Sequence, residues 1–281
     1  MALIDFLKYV FLGIVQGFTE VLPVSSSGHV ELFVSLLGID IDENLLFQIV
    51  INTGSLLAFL AIFAKDIVRL VVDTVEFVFV PSRREDAREG FLFTAKLVIA
   101  SIPAALVGFL LKDAIDAALG TYGTLLSGIG LLLTATILLM TSSFRIRRGR
   151  TGFSFVDAAL IGTAQAFALI PGISRSGTTT ATAIRRGIGL ETALRFSFMM
   201  YIPVSVGSLL FAVLDFLETP ESMPDALTIS SYVVACAAAA VATFIAYRLV
   251  FNAFKSGRLR LFSTWCFAAG ALSLLLFIIH R

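Results

Sequence analysis

One apolar segment, interrupted by polar residues, occurs twice in this chain, and the repetition limits the folds that the chain can adopt. Residues 13–29 read GIVQGFTEVLPVSSSGH, and residues 162–178 read GTAQAFALIPGISRSGT. An ungapped alignment at an offset of 149 positions pairs Gly13 with Gly162, Gln16 with Gln165, Phe18 with Phe167, Val21 with Ile170, Ser25 with Ser174, Ser27 with Ser176 and Gly28 with Gly177. An internal duplication is therefore predicted, with repeats at about 1–142 and about 150–281.

The two copies differ at the positions that carry reactive side chains. The alignment continues to Gly38 and Gly187, and a shift of four residues matches GSLL at 54–57 with GSLL at 207–210. The unmatched pairs are Glu20 with Leu169, Ser26 with Arg175 and His29 with Thr178. We expect the repeats to share a scaffold and the chemistry to reside in these unmatched pairs.

The composition predicts an integral membrane protein. Hydrophobic residues make up 58% of the 281 residues and charged residues only 15%, too few polar side chains to cover a soluble globule. With a net charge of +1 and no basic stripe containing aromatic residues, we expect no nucleic-acid partner. Cys236 and Cys266 stand singly in apolar runs and are expected to be packing residues.

Six apolar stretches are long enough to cross a bilayer as helices, which takes about 20 residues. They lie at 44–64, 91–111, 122–142, 191–216, 229–250 and 261–279. In 3–38 and 153–187, proline, glycine and clustered hydroxyl residues break the apolar run into pieces too short to cross. Because irregular backbone at membrane depth must be buried in protein or line a wet cavity, both regions are predicted to be re-entrant helix–loop–helix hairpins.

The predicted fold class is an all-α polytopic membrane protein, with residues 1–281 as a single integral membrane domain built on an inverted-topology repeat. Each repeat holds one hairpin and three crossings, and an odd number of crossings inverts the second copy. Loops 39–43, 113–121 and 217–227 carry acidic residues without Lys or Arg. The alternate loops carry Lys65, Arg69, Arg83, Arg84, Arg88, Arg145, Arg147, Arg148, Arg150, Lys255, Arg258 and Arg260. The positive-inside rule then places both termini outside.

The first broken segment places a carboxylate at membrane depth. Gly13, Gln16 and Glu20 share one face of its first half-helix, which Pro23 stops. A carboxylate in this position is costly, and it is expected to face a cavity and a partner for a functional reason. The alternative is a purely structural ion pair between Glu20 and Arg175.

The two serine-rich loops, which can meet near the midplane, predict an anion site. Serines and threonines there can cap half-helices whose N–H groups and positive dipole ends point inward, and the guanidinium of Arg175 matches phosphate oxygens. Capping alone is the alternative role of each serine. The predicted binding set is Ser25, Ser27, Ser174, Arg175, Ser176, Gly177, Thr178 and Thr179.

His29 lies beside three hydroxyl groups in the first loop. A lone histidine is often a packing residue, but the predicted cavity also holds a carboxylate and a guanidinium, so a catalytic role is expected. The predicted catalytic residues are Glu20, Ser26, His29 and Arg175.

Three motifs in this order, QGFTE at 16–20, PVSSSGH at 23–29 and PGISRSGTT at 171–179, resemble those of the bacitracin-resistance type undecaprenyl pyrophosphate phosphatases. The similarity covers nearly the whole chain. It implies an undecaprenyl-diphosphatase of the plasma membrane that removes the terminal phosphate from a polyprenyl diphosphate, through a site that opens on the outer face. The lipid carrier would thereby be recycled for cell-envelope glycan synthesis, which confers bacitracin resistance.

The resemblance also implies a divalent metal, Mg or Ca, at Gln16 and Glu20. Many family members carry Glu where this chain carries Gln16, so a single motif carboxylate remains. We expect the Gln16 carbonyl oxygen, water and diphosphate oxygens to complete a hard oxygen site.

Several alternatives stay open at the level of the sequence. Ser26 could attack phosphorus with His29 as base, His29 could attack directly, or His29 could activate water. A transporter or lipid flippase for a phosphorylated substrate is the rival function, because inverted repeats with broken helices suit alternating access. The expected partners are the lipid substrate and membrane lipids, and a homodimer is left open.

Overall fold

The computed structural model describes residues 3–39, 44–142, 149–218, 226–255 and 259–279. Within these ranges the chain is almost entirely helical. The helices are α1 (Leu3–Val21), α2 (Ser26–Leu37), α3 (Asn44–Ile62), α4 (Ala64–Phe79), α5 (Arg84–Leu110), α6 (Lys112–Ser142), α7 (Phe155–Phe167), α8 (Arg175–Arg185), α9 (Leu190–Glu218), α10 (Ala226–Lys255) and α11 (Leu259–Ile279), with a short 3₁₀ turn at Pro81–Arg83.

The prediction of an all-α polytopic membrane protein is confirmed. In the described part of the chain, segments long and apolar enough to cross a membrane are Pro81–Leu110, Gly120–Ser142, Leu190–Leu214, Leu227–Val250 and Leu259–Ile279. Helices α3 and α4 pass the same test only as a pair, bent by 69° at the break, and they make a sixth span if the pair is counted as one. The re-entrant course of the two hairpins and the placement of the termini stay predictions, as do the single domain and its repeat boundaries.

Two predicted loops are helical instead. Lys65 and Arg69 lie on α4, whose valines at 68, 71, 72 and 75 recur at a helical spacing that favours a helix over a loop. Segment 113–121 forms the start of α6, because it contains good helix formers and no glycine before Gly120. Non-helical backbone at Tyr122 (φ −132°, ψ 21°) then separates this start from the apolar remainder of α6. Residues 40–43, 143–148, 219–225 and 256–258 of the other predicted loops lie outside the described residues.

The two serine-rich segments form similar breaks between helices. Ser25 caps α2, and its Oγ accepts a hydrogen bond from the Gly28 amide at 3.3 Å. Ser174 caps α8 in the same way, accepting from the Gly177 amide at 3.1 Å. The predicted capping role of Ser25 and Ser174 is therefore observed. In each case the serine hydroxyl accepts a hydrogen bond from a free backbone amide in the first turn of the helix.

The ends of α2 and α8 also correspond. Gly38 (φ 60°) and Gly187 (φ 79°) both adopt left-handed backbone, which glycine tolerates without a Cβ clash. The amide of Ile39 bonds the Val34 carbonyl at 3.2 Å, and the amide of Ile188 bonds the Ala183 carbonyl at 3.1 Å. Both half-helices therefore end in the same compact turn.

Each broken segment packs on a helix from the other half of the chain. Helix α1 lies against α10, and α7 lies against α5. A Cβ on Gly13 would lie 2.2 Å from the Ala235 carbonyl oxygen, and a Cβ on Gly162 would lie 2.2 Å from the Ala100 carbonyl oxygen. Only glycine permits backbones to approach this closely. Because each broken segment packs on a helix of the opposite half of the chain, the two breaks lie next to each other.

We expect Gly162→Ala to lower the melting temperature of the purified protein in detergent. The added methyl group would meet the backbone of α5, which no side-chain rotation can relieve, and overpacking of this kind costs about 1–3 kcal/mol. The matched control is Gly207→Ala on α9, where a Cβ would meet nothing within 4 Å. Equal melting temperatures for the two variants would contradict the packing.

Candidate active site

The two helix breaks enclose a cavity of about 240 Å³. The first break contributes Glu20 and residues 25–27 to its wall, and the second contributes residues 174–176. The breaks also touch directly, since the Ser176 hydroxyl donates to the Leu22 carbonyl at 3.2 Å. The structure therefore brings together the two loops that the sequence predicts to meet.

Glu20 is the centre of the hydrogen-bond network on the cavity wall. Its Oε1 accepts from Nη2 of Arg175 at 2.7 Å, and its Oε2 accepts from the Ser26 hydroxyl at 2.6 Å and from Nε2 of Gln16 at 2.9 Å. The side chains of Glu20 and Arg175 are only 9% and 14% exposed. The ion pair considered from the sequence is present, and the same carboxylate also holds a hydroxyl group.

Arg175 is fixed from three sides. Besides its bond to Glu20, Nη1 donates to the Ser197 carbonyl at 3.1 Å, and the guanidinium lies 4.3 Å from the ring centroid of Tyr201. These contacts hold the planar group in one orientation. Two hydrogen bonds leave the other N–H groups of Arg175 available to a ligand, because a guanidinium carries five.

Ser26 follows a strained turn. Ser25 adopts φ 71°, a left-handed conformation that no other non-glycine residue of the described chain shares. Such backbone costs about 1–3 kcal/mol and persists where the surrounding structure requires it. The turn places Ser26 at the first position of α2 with its hydroxyl against Glu20. A hydroxyl next to a base is the arrangement of an activated nucleophile.

His29 does not belong to the cavity wall. It is 1% exposed, its Nδ1 donates to the Ser25 carbonyl at 2.8 Å, and its Nε2 accepts from Nε1–H of Trp265 at 2.7 Å. Both ring nitrogens are thus used, and within the described residues no hydrogen bond joins His29 to Ser26. The catalytic role of His29 stays a prediction. Its position one turn after Ser25 directs the ring to the backbone of the strained turn.

The predicted anion-binding set divides into two groups. Ser25, Ser27, Ser174, Arg175 and Ser176 lie on the cavity wall, and Gly177, Thr178 and Thr179 do not. The wall serines are partly committed to bonds with each other, because the hydroxyls of Ser25 and Ser27 are 3.3 Å apart and those of Ser174 and Ser176 are 3.4 Å apart. Within the described residues, the buried Thr178 hydroxyl has no hydrogen-bond partner.

Helix α6 supports the second break through Thr134. The Thr134 hydroxyl donates to the Gly172 carbonyl at 2.8 Å and accepts from the Ser174 amide at 2.8 Å. Gly172 (φ 84°) lies so close to α6 that a Cβ would be 2.2 Å from the Ser127 carbonyl oxygen. This support sets the backbone that precedes Arg175.

Sequence reasoning missed Asn52, Thr134, Tyr201 and Trp265. The Asn52 Oδ1 accepts from Nε2 of Gln16 at 2.6 Å, and the Tyr201 hydroxyl donates to the Asn52 carbonyl at 3.2 Å. All four residues lie inside long apolar helices, where periodicity indicates only a membrane span. The amide of Asn52 within such a span was the available signal, because polar groups at membrane depth are seldom incidental.

The cavity wall does not contain a closed metal site. In the part of the chain that the structure describes, no three His, Cys, Asp or Glu residues cluster as metal ligands. Gln16 turns its amide nitrogen towards Glu20 and Asn52, so its carbonyl oxygen would face Glu20 only after the amide rotates. The oxygens of Glu20 and Asn52 are of the type that bind a hard divalent ion such as Mg²⁺, which commonly takes only one or two protein carboxylates and fills its other positions with water or phosphate oxygens.

A polytopic helical chain with a partly buried serine, carboxylate and guanidinium around one cavity has the features of a membrane enzyme that acts on an anionic group. Residues 9–272 match the family model described as bacitracin resistance protein BacA. The chain belongs to this family, which confirms the resemblance drawn from its motifs.

Curated relatives are similar along nearly their whole length. Undecaprenyl-diphosphatase 3 of Bacillus anthracis is 44% identical over 269 residues, covering 96% of this chain and 97% of the relative. Undecaprenyl-diphosphatase of Oceanobacillus iheyensis is 41% identical over 267 residues, covering 95% of each chain. Undecaprenyl-diphosphatase 1 of Halalkalibacterium halodurans is 37% identical over 268 residues, with 95% of each chain covered.

Removal of the guanidinium should destabilise the protein through its partner. Arg175→Met leaves the Glu20 carboxylate buried without its counter-charge, and breaking a buried pair from one side costs about 3–5 kcal/mol. We expect a lower melting temperature than wild type. In a Glu20→Gln background the same change should cost much less, and an equal cost in both backgrounds would contradict the pairing.

Proposed function

We propose that this chain hydrolyses undecaprenyl diphosphate, or a related polyprenyl diphosphate, to the monophosphate and inorganic phosphate. The observation that carries the proposal is the Ser26 hydroxyl, 2.6 Å from a Glu20 carboxylate that Arg175 holds in place at the cavity. The names of the relatives supply the substrate class. The product would return as lipid carrier to cell-envelope glycan synthesis, and its turnover would confer bacitracin resistance.

The first step is attack by Ser26 Oγ on the terminal phosphorus. An O–P bond forms, the anhydride P–O bond breaks, and the polyprenyl monophosphate leaves with the bond's electron pair. Glu20 accepts the proton of the Ser26 hydroxyl, to which it is already hydrogen bonded. This assignment gives the base role to Glu20, and His29 instead supports the Ser25 carbonyl in the strained turn.

The second step releases phosphate from Ser26. A water molecule attacks the phosphoserine and forms a new O–P bond, the O–P bond to Oγ breaks, the proton held by Glu20 returns to Oγ, and the phosphate leaves as dihydrogen phosphate with both protons of the water. The remaining N–H groups of Arg175 and the N-termini of α2 and α8 would stabilise the charge on the phosphoryl oxygens in both steps. Arg175 can serve the phosphate while its bond to Glu20 persists, because its other donors are unused.

A divalent ion, Mg or Ca, would bind at the cavity together with the substrate. Glu20 and Asn52 would hold it directly, and Gln16 would do so after rotation of its amide. Such an ion supplies charge neutralisation at the phosphate oxygens.

The lipid tail would leave the cavity between α3 and α9, where Leu56 and Leu209 line the wall. We place the cavity opening on the outer face of a plasma-membrane protein with both termini outside, in keeping with the loop charges. A homodimer stays a prediction that no observation within the described residues tests.

Phosphate release from C55 diphosphate by purified protein in detergent tests the proposal. Wild type should release phosphate without any closed compartment, and Ser26→Ala should reduce kcat by about 10³-fold or more. Ser230→Ala on α10 removes an exposed hydroxyl and should have no effect. A transporter or flippase would release none, and full activity of Ser26→Ala would refute the serine nucleophile.

The covalent intermediate gives a second readout of the same step. Parallel acid and alkaline quenching followed by mass spectrometry should find phosphate on Ser26, because phosphoserine survives acid, whereas phosphohistidine is hydrolysed by acid and survives base. Phosphate on His29 would transfer the nucleophile role to the histidine, and a turnover without any phosphorylated residue would favour direct attack by water.

Chelation tests the metal separately. With EDTA present, release should fall and should recover when Mg or Ca is added in excess. Because Glu20 is the one carboxylate among the described wall residues, the metal would be held largely through the substrate, and we expect the metal concentration for half-maximal release to fall as the diphosphate concentration rises. Unchanged release in EDTA would remove the metal from the proposal.

A further inference from the structure

The buried side chain of Gln165 has no hydrogen-bond partner among the described residues. It is 1% exposed and lies on the cavity wall, on the last full turn of α7. Neither its amide nitrogen nor its carbonyl oxygen makes a hydrogen bond to any residue that the structure describes. Leaving a buried amide unpaired costs free energy. A side chain that faces a cavity in this state indicates that a ligand completes its hydrogen bonds.

The equivalent residue of the other repeat identifies the chemistry. Gln16 aligns with Gln165, and its amide nitrogen donates to the Glu20 carboxylate and to Asn52. In the second repeat these two partners are replaced by Leu169 at the same offset and by Ser205 in the GSLL register. Gln165 therefore has the same amide donor as Gln16, but the carboxylate that accepts from Gln16 has no equivalent in the second repeat.

The charge balance of the cavity favours a neutral donor at this point. Glu20 neutralises Arg175 at 2.7 Å, so the pair contributes no net charge to the wall. Besides the proposed divalent ion, the protein must hold a diphosphate there by N–H and O–H groups, and an amide adds a donor without requiring another counter-ion.

We propose that Gln165 binds the diphosphate of the substrate, donating its amide N–H to a phosphate oxygen where Gln16 donates to a carboxylate. The carbonyl oxygen then accepts from water bound to the same phosphate. The inference rests on the proposed function and adds a binding residue from the second repeat. The ligand chemistry is a phosphate anhydride, carried by the lipid headgroup or by inorganic pyrophosphate.

The test uses full-length protein in detergent and the variants Gln165→Met and Gln165→Glu. The matched control is Thr163→Val, an exposed position on the same helix whose hydroxyl bonds only its own helix backbone. Without ligand, Gln165→Met should melt at or above the wild-type temperature, because no hydrogen bond is lost. A structural role for the amide would instead lower the melting temperature, and that result would overturn the proposal.

Kinetics on C55 diphosphate give the second readout. Gln165→Met should lower kcat/KM by about tenfold or more through a higher KM, since one hydrogen bond to a charged group is removed. Gln165→Glu should be lower still, because a second carboxylate would repel the phosphates. Either variant with wild-type kcat/KM would overturn the proposal. If wild type itself releases no phosphate, the proposed function fails, and the melting experiments then test on their own whether Gln165 binds a phosphate anhydride.

Inorganic pyrophosphate then distinguishes the two ligand sources. If the free anion is bound, it should raise the melting temperature of wild type and of Thr163→Val but not of Gln165→Met. If pyrophosphate shifts none of them while the KM for the lipid rises in Gln165→Met, the residue recognises the lipid headgroup in place, which also supports the proposal. An equal shift in all three proteins would overturn it.

Discussion

The ion pair between Glu20 and Arg175 is the interaction on which the rest of this arrangement depends. The two residues are 155 positions apart, and each belongs to a different helix break. Because both side chains are largely buried, each charge requires the other, and the breaks must stay together for both residues to remain charged. Ser26 and Gln16 donate hydrogen bonds to Glu20, and the ring of Tyr201 lies against the guanidinium of Arg175.

Close backbone packing makes the pair possible. Gly13 and Gly162 let the broken segments lie directly on helices of the opposite half of the chain, and Gly172 lets the second break rest on α6. The absence of a side chain at these three glycines is therefore a structural requirement. These glycines set the distance at which a carboxylate on one break reaches a guanidinium on the other.

The helix breaks and the residues that lie at them could be predicted, because they follow from interactions between residues close in sequence. A proline and a cluster of hydroxyl residues end and restart helices wherever they occur, and the spacing of Gln16 and Glu20 places them on one face in any helix. The orientation of His29 could not be predicted, because it depends on Trp265, which is 236 positions away and carries no local signal. The same limit applies to Asn52 and Tyr201, whose contacts arise only when α3 and α9 pack. The prediction of a loop at 113–121 is wrong for a different reason, because its acidic residues suggested an exposed turn while its alanines favoured a helix.

The exchange of partners between the two halves also has a consequence for biosynthesis. Helix α1 is synthesised well before α10, on which it packs. Until α10 is made, Gly13 and Gly17 of α1 lack the helix on which they pack, and Glu20 lacks Arg175, which is synthesised 155 residues later. The early segments must therefore persist in the membrane in an incomplete state, and assembly of the centre becomes a late, non-local event in the maturation of the chain.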